Sequence, residues 1–333
     1  MTVAPDTPAS PQSPQPLNHP PLDEINFAHA SERVAAEILD FYRINWLYEP
    51  KTFPLEWDGK GNVIVSFSPD FYLTDFDLYI ELTTMSQKLV TKKNRKVRRL
   101  KELYPDVNIR IFYQKDFRAL LARFGMATTS VAHANGGECC PPRHMSRSRQ
   151  PVDTPLPQIC DGIVIDQTAI QQRVTELGSQ IAEEFAGQDL RLVTVLKGGL
   201  FFLADLCRAC HAPLAIDFLA VSQYSAGVGG MVRVTKDLSD DIAGASVVLV
   251  EDVVDTGLTV NYVYSLLKAH GPARLEVCTL LDKPSRRIAD VPITYTGFTL
   301  PDRFVVGYGR DVRGRYRNLP YVASVKEEAI FAL

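Results

Sequence analysis

The sequence predicts an α/β protein with a doubly wound parallel sheet in its C-terminal half and a smaller α/β domain before it. Three observations carry this expectation. At 333 residues the chain exceeds what one hydrophobic core usually organises, and a prior of about 150 residues per domain points to two domains. From Gln158 onward, strand-like and helix-like segments alternate, which is the signature of parallel strands joined by helical crossovers. Two stretches without apolar periodicity, 1–25 and 126–157, bracket a separate periodic region.

Composition narrows the class. Hydrophobic residues at 46% supply ample material for a core. The 36 Lys and Arg against 39 Asp and Glu give a formal net charge of −3, so any nucleic-acid surface must be a local patch. No apolar run reaches the roughly 18 residues that a membrane span needs, which predicts no membrane partner. The first cationic side chain is Arg33, so no cationic n-region of a secretory signal is expected. Six cysteines are too sparse for a disulfide scaffold, and a reduced, cytoplasmic protein is the expectation.

Residues 1–25 are dominated by Pro, Ser, Thr and Gln, with little to bury, and are expected to be disordered. Pro11 and Pro14, or Pro5 and Pro8, could form a PxxP ligand. In 26–125, Ser31 is the expected cap of a helix carrying Val34, Ile38, Phe41 and Tyr42 on one stripe. Strands follow at Val63–Phe67 and Leu78–Leu82, then a basic helix over Val90–Leu103, a strand at Asn108–Tyr113 and a helix at Asp116–Phe124. Residues 126–157, with Gly136-Gly137, Pro141-Pro142 and a Ser/Arg cluster, read as a flexible linker. In 158–333 the expected strands are Val164–Ile165, Leu192–Leu196, Ala215–Val221, Val247–Val250, Leu275–Leu281 and Phe304–Val306. The expected helices are Gln167–Ala186, Phe201–Cys210 and Val260–Ala269.

The stretch VVLVEDVVDTGLT, residues 247–259, is the most informative. An apolar strand runs into Glu251 and Asp252, then a loop Asp255-Thr256-Gly257-Leu258-Thr259 opens a helix. Ligands of open α/β sheets bind at the carboxyl ends of strands. Gly257 permits a tight turn, and the loop amides, the helix N-terminus and the Thr256 and Thr259 hydroxyls suit a phosphate. The paired acids suit vicinal hydroxyls or Mg²⁺ instead. Leu196-Lys197-Gly198-Gly199 likewise joins a strand to a helix and offers amides to a diphosphate.

This motif, with LLDKPSRR, DFLAVSQYSAG and PDRFVVGYGRDVRGRYRNLPYV in order, resembles the phosphoribosyltransferase family, and within it the hypoxanthine(-guanine) phosphoribosyltransferases, over about Ile163 to Val325. The resemblance implies the type I phosphoribosyltransferase fold and purine salvage. A 6-oxopurine would take the phosphoribosyl group of phosphoribosyl diphosphate, with Mg²⁺ as cofactor, and relatives commonly form homo-oligomers. It implies that Glu251 and Asp252 hold the ribose hydroxyls, partly through Mg²⁺, that Asp255 is the general base near purine N7, and that Thr256, Gly257 and Thr259 bind the 5′-phosphate. Lys197 and Gly198 would meet the diphosphate across a cis Leu196–Lys197 peptide, and Arg317 would hold the same group. Lys283 would donate to the 6-oxo oxygen, Phe304 would stack on the base, Val305 would meet its edge, and Asp311 would bind a second Mg²⁺. A mobile loop at about Ser222–Val232 would bring Ser222 and Tyr224 over the site. Singly, Lys283 and Arg317 read as surface charges and Phe304 as a core aromatic.

In the first domain, Glu37 on a helix, Pro69-Asp70 after a strand and Glu81 in the next strand resemble the PD-(D/E)xK nuclease-like superfamily. That resemblance implies a restriction-endonuclease-like fold in which carboxylates hold Mg²⁺ against a phosphodiester. The lysine expected two residues after Glu81 is replaced by Thr83, so the charge would come from Lys88, or from Lys92, Lys93 or Lys96. The same helix carries eight cations from Lys88 to Lys101 with no acid between them. It reads equally as a solvated face or as a phosphate-contact surface for nucleic acid. Cys207-x-x-Cys210 beside His211, and Cys139-Cys140 between His133 and His144, are the remaining possible ligands, with helix packing preferred for the first pair. Two functions from different classes follow: a purine-salvage transferase with a nuclease-like or nucleic-acid-binding appendage, and a nucleic-acid-binding regulator using the transferase fold as a nucleotide sensor.

Overall fold

A computed structural model of the chain describes residues 19–83, 87–113, 156–224, 231–312, 314–326 and 328–329. The expected helix at 116–124, the PxxP motifs and the linker cysteines and histidines lie outside the described residues. The trace forms two compact units, the first built from residues up to Ile111 and the second mainly from those beyond it. Among the described residues no helix is long and apolar enough to cross a membrane.

The first unit opens with α1 (Ala30–Phe41). Its cap is His29, reciprocally bonded with Glu32, so Ser31 lies inside the first turn and does not cap. A Glu three residues after the cap completes a capping box that Ser31 cannot match. Then come β1 (Trp46–Tyr48), β2 (Phe53–Trp57), β3 (Val63–Phe67), β4 (Phe71–Leu73), β5 (Leu78–Thr83), α2 (Gln87–Leu103) and β6 (Ile109–Tyr113). One sheet has the order β1-β4-β5-β6, and β2 and β3 form a separate antiparallel pair. Val97 and Leu100 of α2 pack with Phe53, Leu55, Phe67 and Ile109, which seats the helix by its apolar stripe.

Residues 19–25 correct the expectation of disorder for that part of the tail. The His19 ring stacks on Trp46 at 4.1 Å, and His19 Nε2 and Trp46 Nε1 both lie 2.7 Å from Asp40 Oδ1. Leu22 is buried. A buried carboxylate needs donors, and supplying them fastens the segment down.

The second unit contains β7 (Cys160–Ile165), α3 (Gln167–Glu184), β8 (Leu190–Val195), α4 (Leu200–Ala209), β9 (Ala215–Tyr224), β10 (Met231–Lys236), β11 (Ser246–Val254), α5 (Leu258–Ala269), β12 (Arg274–Asp282), β13 (Tyr295–Thr299), β14 (Val305–Val306) and β15 (Val322–Val325). Its main sheet runs β10-β9-β8-β11-β12-β13, parallel throughout except for β10 at the edge. A smaller antiparallel sheet runs β14-β15-β7. Both faces of the main sheet are covered. Val248 and Val250 of β11 join a core with α3 and α4, while Val247 and Leu249 join another with α5. Burial on both sides explains why β11 reads as a continuous apolar run with no alternation. Cys207 Sγ donates to the Leu203 carbonyl at 2.9 Å, which is helix packing.

Candidate functional site

The site is built at the carboxyl ends of β8, β11 and β12. Sequence reasoning ended the central strand at Val250. The structure carries it to Val254, because Val253 and Val254 still pair with Leu281 and Asp282. Glu251 and Asp252 therefore lie inside the strand, each 3% exposed. Asp252 Oδ1 accepts the Val253 amide at 2.9 Å, and its Oδ2 accepts from Arg310 Nη1 at 3.3 Å. The loop after β8 passes directly over this acid. A Cβ on Gly198 would stand 2.5 Å from Asp252 Oδ2, so only glycine fits. The Leu196–Lys197 peptide beside it is cis and Lys197 is exposed.

Past β11 the chain turns at Gly257, whose φ of +81° makes it the left-handed cap of α5. A side chain there would also meet the Ala289 carbonyl at 2.4 Å. The Thr256 carbonyl accepts the amides of Ile288 and Ala289 at 2.7 and 3.0 Å, which ties the loop to the segment following β12. Thr256 and Thr259 thus stand at the N-terminal turn of α5, where backbone amides and the helix dipole favour an anion.

Asp255 Oδ2 accepts from Arg286 Nη1 at 3.1 Å. Lys283, just after β12, is 2% exposed, and its Nζ donates to the Arg303 carbonyl at 2.5 Å. Burial pushes its pKa down to about 8, and the charge of Asp255 opposes that shift. Phe304 is half-buried and Val305 buried, where β14 begins. Asp311 pairs with Arg317 at 2.5 Å, and Arg317 also donates to the Gly309 carbonyl. The backbones of Ser222 and Tyr224 lie in β9 opposite Arg233 and Met231. Their side chains, and residues 225–230 of the expected loop, lie outside the described residues. Arg286, Arg287 and Arg310 were not singled out from the sequence, since nothing in an arginine pair says which acid it will meet. No group of three or more His, Cys, Asp or Glu able to hold a metal is gathered among the described residues.

In the first unit, Asp70 and Glu81 are brought together by the pairing of β4 with β5. Both are buried, at 6% and 1% exposure. Asp70 Oδ2 accepts the Leu82 amide at 2.5 Å. Lys93 forms an ion pair with Glu81 and donates to the Leu82 carbonyl at 2.8 Å, while Glu81 Oε2 and Thr83 Oγ1 have no hydrogen-bond partner among the described residues. Lys93, one of the lysines expected to bring this charge, is thus the cation beside Glu81, and the side chains of Lys88 and Lys92 lie outside the described residues. Glu37 is a correction. It points along α1 to Arg33 at 3.5 Å, and the helix acid whose charge acts on Asp70 is Glu32, held by Tyr48 at 2.6 Å. Another concerns the cations of α2, for Lys96 is engaged with the Ser66 carbonyl at 3.0 Å and Arg95 lies 3.4 Å from Glu56. Among the described side chains of α2, the exposed cations are Arg98 and Lys101 beside Arg95 and Arg99.

The family model described as a phosphoribosyl transferase domain matches residues 164–313. The hypoxanthine phosphoribosyltransferase of Salmonella typhimurium is 46% identical over 167 residues, 49% of this chain and 94% of that protein. The chain belongs to the phosphoribosyltransferase family. Hypoxanthine-guanine phosphoribosyltransferase of Mycobacterium tuberculosis is also 46% identical, over 171 residues, 49% of this chain and 85% of that one. A solved structure, the asparagine mutant from an analysis of an invariant aspartic acid in HPRTs, has 33% identity and a TM-score of 0.50, covering 53% of this chain and 97% of its own. The parallel sheet with its smaller antiparallel partner is thus the type I phosphoribosyltransferase fold, and the described residues that the family model matches belong to the second unit.

The buried acids of the first unit give a pH signature. Burial, reinforced for Glu81 by Asp70, pushes Asp70 up to about 6 and Glu81 up to about 7, and Lys93 only partly offsets it. Both groups bind protons more tightly folded than unfolded, so their contribution is full below the ordinary carboxyl range and is lost as pH rises through 6 and 7. Thermal unfolding of the first unit, followed in the full chain, should shift to lower temperature between pH 5 and pH 8. Asp70→Asn should flatten that dependence, and an unchanged slope would show that Asp70 does not contribute to it.

Proposed function

We propose that the second unit transfers the phosphoribosyl group of phosphoribosyl diphosphate to a 6-oxopurine, hypoxanthine or guanine, giving IMP or GMP and diphosphate. The observation that carries this reading is the buried Lys283, whose amide donates to the Val254 carbonyl at 3.0 Å next to Asp255, beside the N-terminus of α5. A donor for a 6-oxo group, an acceptor for a purine proton and a phosphate cradle stand within one strand-end cluster. A sensor could dispense with the first two, which favours the enzyme over the regulator.

The chain's residues divide the chemistry. The 5′-phosphate sits on Thr256, Gly257, Thr259 and the first turn of α5. Glu251 and Asp252 hold the ribose hydroxyls. Lys283 exchanges the Arg303 carbonyl for the 6-oxo oxygen, a charge-assisted bond while the amine stays protonated below about pH 8. Phe304 stacks on the base and Val305 meets its edge. The purine nitrogen attacks C1, the C1–O bond breaks, diphosphate leaves with the electron pair, and the purine proton passes to Asp255. Lys197 and Arg317 stabilise the charge on the leaving group. The family resemblance assigns Ser222 and Tyr224 to a loop whose role would be to exclude water. The donor set also suits Mg²⁺, since Glu251, Asp252 and Asp311 offer hard carboxylate oxygens and Mg²⁺ completes its shell with substrate oxygens and water. When bound, the ion would neutralise diphosphate charge.

We place the protein in the cytoplasm, a reading supported by Cys160, Cys207, Cys210 and Cys278, all free thiols. Homo-oligomer formation is supported by the exposed Leu200, Phe201 and Ile216, apolar surface that association would cover.

For the first unit, the meeting of Asp70, Glu81 and Lys93 favours a phosphodiester-handling centre with a divalent cation, next to a helix whose exposed arginines suit a nucleic-acid backbone. Glu81 Oε2, without a hydrogen-bond partner among the described residues, fits a hard cation, and the lysine comes from α2.

Asp255→Asn should slow IMP formation by roughly 10²–10⁴-fold with the fold intact, because an amide cannot take up the purine proton. Lys283→Ala should erase the preference for hypoxanthine over adenine. Steady-state assays with phosphoribosyl diphosphate, Mg²⁺ and each base decide both, and near-normal turnover of Asp255→Asn would remove that residue from its role. The full chain incubated with labelled DNA and RNA and Mg²⁺ or Mn²⁺ should cut, and an Asp70→Ala, Glu81→Ala double variant should not. Cutting that persists in the double variant is contamination and rejects the centre.

A further inference from the structure

Asp255 stands on a loop, and a base on a loop needs other groups to hold its geometry. Two arginines of the 3-10 turn after β12 do this in different ways. Arg287 grips the backbone. Its Nε donates to the Asp255 carbonyl at 3.2 Å and its Nη2 to the Val254 carbonyl at 3.5 Å, and it forms an ion pair with Asp282. Arg286 grips the carboxylate. Its Nη1 lies 3.1 Å from Asp255 Oδ2, and its Nε lies 3.0 Å from Asp302 Oδ1. The Arg286 side chain is 12% exposed and that of Asp255 14%, so the pair is held away from bulk water.

The two oxygens of Asp255 therefore differ. Oδ2 is occupied by the guanidinium, while Oδ1 is buried with no hydrogen-bond partner among the described residues. A buried acceptor left unmatched is costly unless something comes to fill it. We propose that Arg286, anchored by Asp302, is a positioning residue. It fixes the rotation of the Asp255 carboxylate so that Oδ1 alone is presented to the purine N–H. A planar guanidinium suits this task because its donors lie in a fixed fork, so anchoring Nε on Asp302 sets the direction of Nη1. A lysine ammonium has no such plane and cannot transmit orientation from one carboxylate to the other.

The proposal rests on the transferase reading, and the test separates the two. Wild type, Arg286→Ala, Arg286→Lys, Asp255→Asn and the double variant Arg286→Ala, Asp255→Asn are assayed as full chains with phosphoribosyl diphosphate, Mg²⁺ and hypoxanthine. Arg286→Ala should lower kcat about 10- to 100-fold, the scale of a small misplacement of a reacting group. KM for phosphoribosyl diphosphate should stay within about twofold, because Thr256, Thr259, Lys197 and Arg317 are untouched. Arg286→Lys should recover less than half of the loss. In the Asp255→Asn background, Arg286→Ala should change kcat less than about twofold, since a residue acting only through the carboxylate has nothing left to position. An equal fall in both backgrounds would assign Arg286 a structural role and overturn the proposal. An unchanged kcat would also overturn it, as would a rise in kcat/KM for hypoxanthine, which would mark Arg286 as a plug in the base's place. Absence of IMP formation by wild type would instead reject the transferase reading.

Discussion

Ser246–Val254 is buried at every position, and the second unit is organised around that constraint. The strand is hydrogen-bonded along both edges, to β8 and to β12, and packed on both faces. A slip of one residue would exchange its two apolar faces and carry Glu251 and Asp252 with them. The packing of Val247, Val248, Leu249 and Val250 therefore sets the height and direction of the two acids that follow. Burying carboxylates is costly unless donors meet them. Asp252 has the amide of Val253 and the guanidinium of Arg310, so the interior that fixes these acids also recruits the cations around them.

The recruited cations describe how the site waits for an anionic substrate. Asp252 is held by Arg310, Asp255 by Arg286 and Asp311 by Arg317, and Lys283 leans on the Arg303 carbonyl. A buried charge stripped of its partner is strongly destabilising. With partners already present, a bound diphosphate or base exchanges one polar contact for another. The arginines are not equivalent in this. Arg317 has both of its partners, Asp311 and the Gly309 carbonyl, on one short segment. Arg286 is fixed between two carboxylates from different loops, which suits it to hold a group still.

Much of this was legible in the sequence, for identifiable reasons. β11, β12, α3 and α5 are long apolar or strongly periodic segments, and their burial is what the pattern records. The loop from Asp255 to Thr259 was legible because its glycine and hydroxyls have few other uses at that spacing. β1 and β4 were missed because strands of three residues carry no period. β13 reads poorly because its central residues are only partly buried. The end of β11 was misplaced because acids look like a strand's end, when backbone pairing with Leu281 and Asp282 continues past them. Arg286 and Arg310 were illegible because their partners are set by tertiary contact and by no local spacing.

The first unit shows the same limit from the other side. Thr83 stands two residues past Glu81, and the cation that meets Glu81 is Lys93, delivered by α2. A helix seated by Val97 and Leu100 brings that side chain to the strand by tertiary packing, which no local spacing records. The delivery differs in one respect. A single lysine faces two buried acids, and burial outweighs it, so Asp70 is pushed up to about 6 and Glu81 up to about 7. The strand-end acids of the second unit have a guanidinium apiece for Asp252 and Asp255. The ratio of cations to buried acids, which no motif records, sets the two clusters of carboxylates apart.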